Sequence, residues 1–126
     1  VGASAQWSPN GAQLVYHSSK SGADNLWTVA VDSTQEVQLT QFSEPTDRLE
    51  SPCWSPDGQR IAYLKVSPRA NNIRRKSVWV HTAGQSTEVF SSEQSLHLLG
   101  WSVHDPQGRL RLQLALVLRR LHRSAR

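Results

Sequence analysis

The chain has no methionine, one cysteine and no long apolar run. Each absence closes a class of reading. A single thiol, Cys53, permits neither an intrachain disulfide nor a cysteine-built metal site. It stands before Trp54 in an apparent strand, the setting of a buried, inert thiol rather than a reactive one. No stretch approaches the ~18 apolar residues of a transmembrane helix. The opening Val1-Gly2-Ala3-Ser4 has neither a basic start nor an apolar stretch, so no signal peptide is expected there. The lack of methionine across 126 residues, which processing or a Val start codon also explains, leads to the expectation of an excised or mature segment of something larger.

The elements of common catalytic sites are missing too. There is no Gly-x-Ser-x-Gly elbow, no Gly-rich phosphate loop and no EF-hand. The five histidines (His17, His81, His97, His104, His122) are scattered singly, without metal-binding spacing. Asp24 and Asp57 sit at turn positions, where Asx chemistry explains them. The expectation is therefore no catalytic residue, no metal and no cofactor.

The formal net charge of +4 is unevenly distributed. Arg109, Arg111, Arg119, Arg120, Arg123 and Arg126 crowd the last eighteen positions, which hold no acid. Residues 1–108 carry 8 basic and 10 acidic side chains, a net of −2. A basic surface able to track a phosphate backbone is not indicated, so no nucleic-acid partner is expected.

What the chain has is tryptophan and a repeat. Trp7-Ser8-Pro9-Asn10-Gly11 recurs as Trp54-Ser55-Pro56-Asp57-Gly58, and Trp101-Ser102 opens a third copy. Both intervals between these tryptophans are 47 residues (54 − 7 and 101 − 54). Leu26-Trp27-Thr28-Val29 recurs as Val78-Trp79-Val80-His81, and Glu36-Val37 as Glu88-Val89. Period, short strands and turn signals together predict an all-β chain, a partial β-propeller of four-stranded antiparallel blades with a period of about 47 residues. In the second copy strand one ends on Pro52-Cys53-Trp54 and strand two is Arg60–Lys65. Strand three is Ser77–His81 and strand four Thr87–Phe90. Their counterparts in the first copy are Leu14–His17, Asn25–Val31 and Glu36–Leu39 for strands two to four. Between strands one and two, Pro56 presets φ, Asp57 tolerates the next position and Gly58 supplies a positive φ. Recurrence at one blade position assigns Trp7, Trp54 and Trp101 to the core, and Trp27 and Trp79 likewise.

The expected units are a first blade over 1–50, a second over 51–97, a partial third over 98–118 and a basic tail over 119–126. The third copy departs from the pattern, with seven residues from Trp101 to Gly108 instead of four. Arg109–Leu118 alternates like a strand two, yet Leu110, Leu114, Val117 and Leu121 also stand at helical spacing. The Arg-rich end suits contact with a membrane or partner, or is a plain terminus.

Trp54-Ser55-Pro56-Asp57-Gly58-Gln59-Arg60-Ile61-Ala62-Tyr63 resembles the signature of the TolB-like (PD40, WD40-like) β-propeller repeat family. The first copy, Trp7 to Tyr16, is similar, as are Asn25-Leu26-Trp27 and Gln38-Leu39-Thr40. The resemblance covers about residues 5–102. It implies a six- or seven-bladed parent and a non-catalytic protein-interaction or sensing role with a periplasmic or extracytoplasmic location. The alternative it implies is the lid propeller of a prolyl-oligopeptidase-type serine peptidase, its catalytic domain outside this chain. Two repeats and part of a third cannot close a ring, so self-assembly to complete a propeller is a further expectation. The segment Pro68–Lys76, read as a loop, breaks the repeat with four positive charges. Arg69, Arg74, Arg75 and Lys76 are therefore the candidate contacts for an acidic protein partner.

Overall fold

A computed structural model describes residues 5–68, 73–93, 95–103 and 110–117, with side chains through residue 93 and at Trp101. Every element in it is a strand. Ser-Pro-Asn-Gly and Ser-Pro-Asp-Gly turns punctuate runs of β-branched and aromatic residues, which favour pleated, half-buried surfaces. The first sheet runs β1 (Ala5–Trp7), β2 (Gln13–Ser18), β3 (Asn25–Ala30), β4 (Glu36–Gln38), in that spatial order. The second repeats it with β5 (Arg48–Trp54), β6 (Ile61–Pro68), β7 (Arg74–Thr82) and β8 (Gln85–Ser92). A third sheet pairs β9 (Ser95–Val103) with β10 (Leu110–Val117). All pairings are antiparallel meanders.

Register repeats along with sequence. Trp7 faces Leu14, Trp54 faces Ile61 and Trp101 faces Leu112. The strand reading of Leu110–Val117 is the one adopted, and its helical alternative fails because β9 offers an edge to pair with. The longer connection of the third copy (residues 104–109) and the tail (118–126) lie outside the described residues.

The Ser-Pro turns are built identically. In the second blade Gly58 N–H donates to the Ser55 carbonyl at 2.9 Å, and Gly58 takes φ 73°. The Ser55 hydroxyl donates to Asp57 Oδ1 at 2.6 Å and accepts Arg60 N–H at 3.0 Å. Asp57 Oδ1 also accepts Gln59 N–H at 3.0 Å. In the first blade Ser8 donates to Asn10 Oδ1 at 2.8 Å and accepts Gln13 N–H at 3.1 Å, and Asn10 accepts Ala12 N–H at 3.0 Å. The serine and its Asx neighbour thus satisfy the backbone groups that a tight turn would orphan.

Several strand limits differ from those expected. β4 stops at Gln38, because Leu26 N–H donates to the Thr40 hydroxyl oxygen (2.9 Å) in place of a ladder carbonyl. β5 begins at Arg48 and carries a bulge at Ser51 (φ 53°) and Pro52, an arrangement that an edge strand tolerates. β6 and β7 run further than expected, so Arg74, Arg75 and Lys76 are strand residues rather than loop residues. Buried Val66 pairs with Lys76, and cross-strand ion pairs from Arg75 and Lys76 extend that ladder.

The core lies between blades. Val15 and Leu26 of the first blade meet Leu49, Ile61 and Tyr63 of the second, with Leu39, Phe42, Trp54 and Trp79 against them. A second cluster, Ala62, Leu64 and Val78, faces the third repeat through Cys53, Val80 and Trp101. Period-two alternation explains how one sheet feeds both: Ile61 and Tyr63 point one way, Ala62 and Leu64 the other. Trp54 and Trp101 are half-buried, but Trp7 is 57% exposed, against the core position expected for it. The reason is that the inner tryptophan packs on the preceding blade, and blade one is the first described.

Candidate functional site

Three of the four candidate contact residues, Arg74, Arg75 and Lys76, lie at one end of the second blade, where β5 and β7 begin and β6 ends. The structure separates them by role. Arg75 donates to Glu88 Oε2 at 3.2 Å and to the Ser91 hydroxyl at 3.0 Å. Lys76 pairs with Glu50 at 3.5 Å. Arg74 is exposed and has no ion-pair partner among the described residues. Arg69 lies outside the described residues.

Sequence reasoning missed two further cations at this end. Lys65 is enclosed, 3.3 Å from Asp47 and stacked over Phe42 (4.2 Å) and Trp79 (5.2 Å). Its charge is spent inside the protein. Arg48 is exposed, like Arg74, and borders an open cleft of about 480 Å³ with His17, Asp24, Pro45 and Asp47. Asp24 joins the blades there: it accepts Leu49 N–H at 2.8 Å and holds His17 Nδ1 at 3.0 Å. The arrangement is a floor of matched charges with Arg48 and Arg74 exposed at its edge. Register alone puts them at one end of the sheet, Arg48 opposite Val66 and Arg74 opposite Pro68, and no run of basic residues in the sequence marks Arg48.

The linker beneath this end is fixed by Asn25, which is buried. Its amide donates to the Phe42 carbonyl (3.0 Å), and its oxygen accepts Phe42 N–H and the Thr40 hydroxyl, each at 2.7 Å. Every polar atom of this buried amide has a partner.

At the opposite end the two Ser-Pro turns flank a cleft of about 420 Å³, lined by Asn10, Gln13, Trp54 and Asp57. Asp57 has its carboxyl lowered from an ordinary value of 3.8, first by the Ser55 hydroxyl and then by Gln59 N–H. That carboxylate is engaged in its own turn.

One serine and one histidine do meet. Tyr63 donates to Ser86 Oγ at 2.7 Å, and Ser86 Oγ lies 2.9 Å from His81 Nδ1. Burial pushes His81 down from its ordinary value and raises Tyr63 to about 12. Acyl transfer needs a histidine that gains a proton and a carboxylate that steadies it. Here burial opposes the imidazolium and no carboxylate among the described residues is bonded to it, so the chain Tyr63–Ser86–His81 ties strands together. Cys53 is likewise unsuited to chemistry, its thiol raised to about 11 by burial. Among the described residues no group of three or more His, Cys, Asp or Glu could hold a metal, and no helix could cross a membrane.

No family model matches the sequence, and no curated protein matches it. Solved structures do match. A TolB of Agrobacterium tumefaciens superposes with a TM-score of 0.61 at 15% identity, over 92% of this chain and 43% of its own. TolB from Acinetobacter baumannii gives 0.60 at 14% identity, over 86% of this chain and 25% of its own. The acylaminoacyl peptidase of Pyrococcus horikoshii gives 0.62 at 11% identity, over 94% and 25%. The chain spans less than half the length of each of these proteins. It has the fold of a TolB-like β-propeller, present in part.

Proposed function

We propose that the chain is a non-catalytic protein-interaction module, a portion of a TolB-like propeller working outside the cytoplasm, that meets an acidic partner at the β5–β7 end of its second blade. The observation that carries this reading is the pairing pattern there. Three cations are neutralised within the fold, whereas Arg48 and Arg74 are exposed with no ion-pair partner among the described residues. Unmatched guanidinium groups on rigid strand ends suit carboxylates, which they bind bidentately. Arg69 completes the proposed contact set, and Arg75 and Lys76, held by Glu88 and Glu50, border it.

The test is a titration of a fluorescein-labelled Glu-rich peptide, followed by anisotropy. Saturable binding that weakens with salt and is lost in Arg74→Glu with Arg48→Glu is the expected result. Binding that both charge reversals leave unchanged, or none at low salt, defeats the proposal.

The peptidase likeness supports a second reading, in which this propeller covers a hydrolase domain outside these residues. A Gly-x-Ser-x-Gly domain in the same gene favours that reading, and its absence removes it.

A further inference from the structure

The cleft between the two Ser-Pro turns is lined by polar atoms that the fold itself does not use. In each turn one oxygen of the Asx side chain takes both turn bonds. Asn10 Oδ1 accepts the Ser8 hydroxyl and Ala12 N–H, and Asp57 Oδ1 accepts the Ser55 hydroxyl and Gln59 N–H. Those bonds fix the two side chains. They leave the second atom of each, Asn10 Nδ2 and Asp57 Oδ2, without a hydrogen-bond partner among the described residues. The side-chain amides of Gln13 and Gln59 line the same cleft and are equally unengaged. The two glutamines are not repeat equivalents, since their counterparts in register are Arg60 and Ala12. This lining is therefore particular to the junction of the first two blades.

The walls are held in place as well. A β-carbon on Gly58 would stand 3.9 Å from Pro9 Cδ, so the two turns sit close together across the blade junction. Trp54 is tied at two points, its main-chain N–H to Gln6 Oε1 at 3.0 Å and its indole Nε1–H to the Gln6 carbonyl at 3.1 Å. With the indole nitrogen engaged, half-buried Trp54 offers the cleft ring carbon. These features select a class of ligand. An aromatic wall suits a molecule with an apolar face. Three neutral amides supply donors and acceptors within a short reach, which matches a molecule bearing several hydroxyls. The carboxylate oxygen of Asp57, its charge offset by the nearby Arg60, is a strong acceptor for one of them. A pyranose ring combines C–H groups on one face with hydroxyls around its rim. The cleft, at about 420 Å³, is within the range of small-molecule sites, about 300–1,000 Å³.

We propose that the cleft between the Ser8 and Ser55 turns is a carbohydrate site that takes one pyranose ring, stacked on Trp54 and hydrogen-bonded by Asn10, Gln13, Asp57 and Gln59. The amides read the hydroxyls on either side of the ring, one blade on each side, and the Asp57 carboxylate accepts the strongest of these bonds. The site stands at the opposite end of the blades from Arg48 and Arg74 and uses none of the charged strand ends, so a failed peptide titration leaves it standing.

The test is saturation-transfer NMR on the full 126-residue chain with the methyl pyranosides of glucose, galactose, mannose and N-acetylglucosamine. At least one is expected to receive magnetisation from the protein in a saturable way, its ring C–H protons more strongly than its methoxy group. Two variants change the cleft and keep the turns. Asp57→Asn retains the Oδ1 acceptor, as Asn10 does in the first turn, and replaces Oδ2 by a donor. It should weaken binding roughly tenfold, the difference between a charge-assisted and a neutral bond. Gln13→Ala with Gln59→Ala removes the unengaged amides and should weaken binding by a similar factor. Both variants should keep the parent chain's urea midpoint at neutral pH. No transfer to any of the four sugars overturns the proposal, and so does transfer that neither variant weakens. Arginine amide is the control for a cationic ligand. Saturable binding of it that Asp57→Asn abolishes, with no response to the sugars, overturns the proposal in favour of a cation stacked on Trp54.

Discussion

Trp7 and Trp54 open the first two repeats, pair in the same register with Leu14 and Ile61, and precede turns with matching hydrogen bonds. Yet Trp54 is half-buried with its indole N–H bonded, whereas Trp7 is 57% exposed. Tyr63 and Tyr16 differ the same way: Tyr63 is fully buried and Tyr16 is not. Identical local structure thus coexists with different burial. In a repeat fold the sequence of a blade sets its strands and turns, and the neighbour sets its exposure. Substitutions at paired positions should cost the same where the interaction is internal to a blade, and differ where it crosses between blades.

The largest difference belongs to the tyrosines. Tyr63→Ala opens a cavity between the blades and should cost about 3–5 kcal/mol, the range for deleting a buried aromatic ring. Tyr16→Ala should cost much less, since no described blade covers that face. Urea denaturation of the two variants checks this. If Tyr63→Ala unfolds the chain outright, Tyr63→Phe serves instead, because it removes only the bond to Ser86. Equal losses at the two positions would mean that the faces are packed alike.

The turns supply the matching control. Ser55→Ala and Ser8→Ala each remove a hydroxyl that accepts a main-chain N–H and donates to the Asx side chain. Each should cost about 1–3 kcal/mol, as for leaving a sheltered polar group unmatched. The two losses should agree, since neither bond crosses to a neighbour. A markedly larger loss at Ser55 would show that the turn, too, depends on the adjacent blade.

This division also explains what could be read in advance. Strand order, the Ser-Pro-Asx-Gly turns and the inert Cys53 rest on contacts within a few residues or on period-two alternation. They are accordingly visible in the order of residues. Exposure of Trp7 is not, because recurrence reports position and says nothing about whether a neighbour is present. The basic segment misleads for a related reason. Arg75 and Lys76 find Glu88 and Glu50 only because β7 lies between β6 and β8 with an ion pair reaching β5. Arg48 and Arg74 become a set through the same pairing, 26 positions apart in the chain. The buried Asn25 hub is equally hidden, since its partners Thr40 and Phe42 lie 15 and 17 residues away in a linker without regular structure.

A smaller effect isolates one bond. Trp54→Phe keeps a ring but loses the donor to the Gln6 carbonyl, and should cost about 0.5–1.5 kcal/mol. Trp7→Phe should change stability by less than about 0.5 kcal/mol, as expected for an exposed site. Equal losses at the two positions would mean that the bond from Trp54 to the Gln6 carbonyl adds nothing to stability.

The finest comparison is one of protonation, because the turns differ by a single ionisable atom: Asp57 in the second blade, Asn10 in the first. Asp57 is lowered from 3.8 by the hydroxyl of Ser55 and the N–H of Gln59, both of which prefer the charged carboxylate. A carboxyl whose folded value lies below its unfolded value stabilises the fold fully above the unfolded value. That stabilisation fades as the pH falls through the folded one. Asn10 accepts the same two bonds at every pH. Asp57→Asn should therefore leave the urea midpoint nearly unchanged at neutral pH and flatten its decline as the pH falls below the ordinary carboxyl value of 3.8. Asn10→Asp should add a decline over the same range. The prediction fails if Asp57→Asn keeps the full acid slope, for then the charge on Asp57 contributes nothing that the neutral amide cannot. Because Asp57 is open to solvent and screened by salt, the effect should shrink as ionic strength rises, while the tyrosine difference should not.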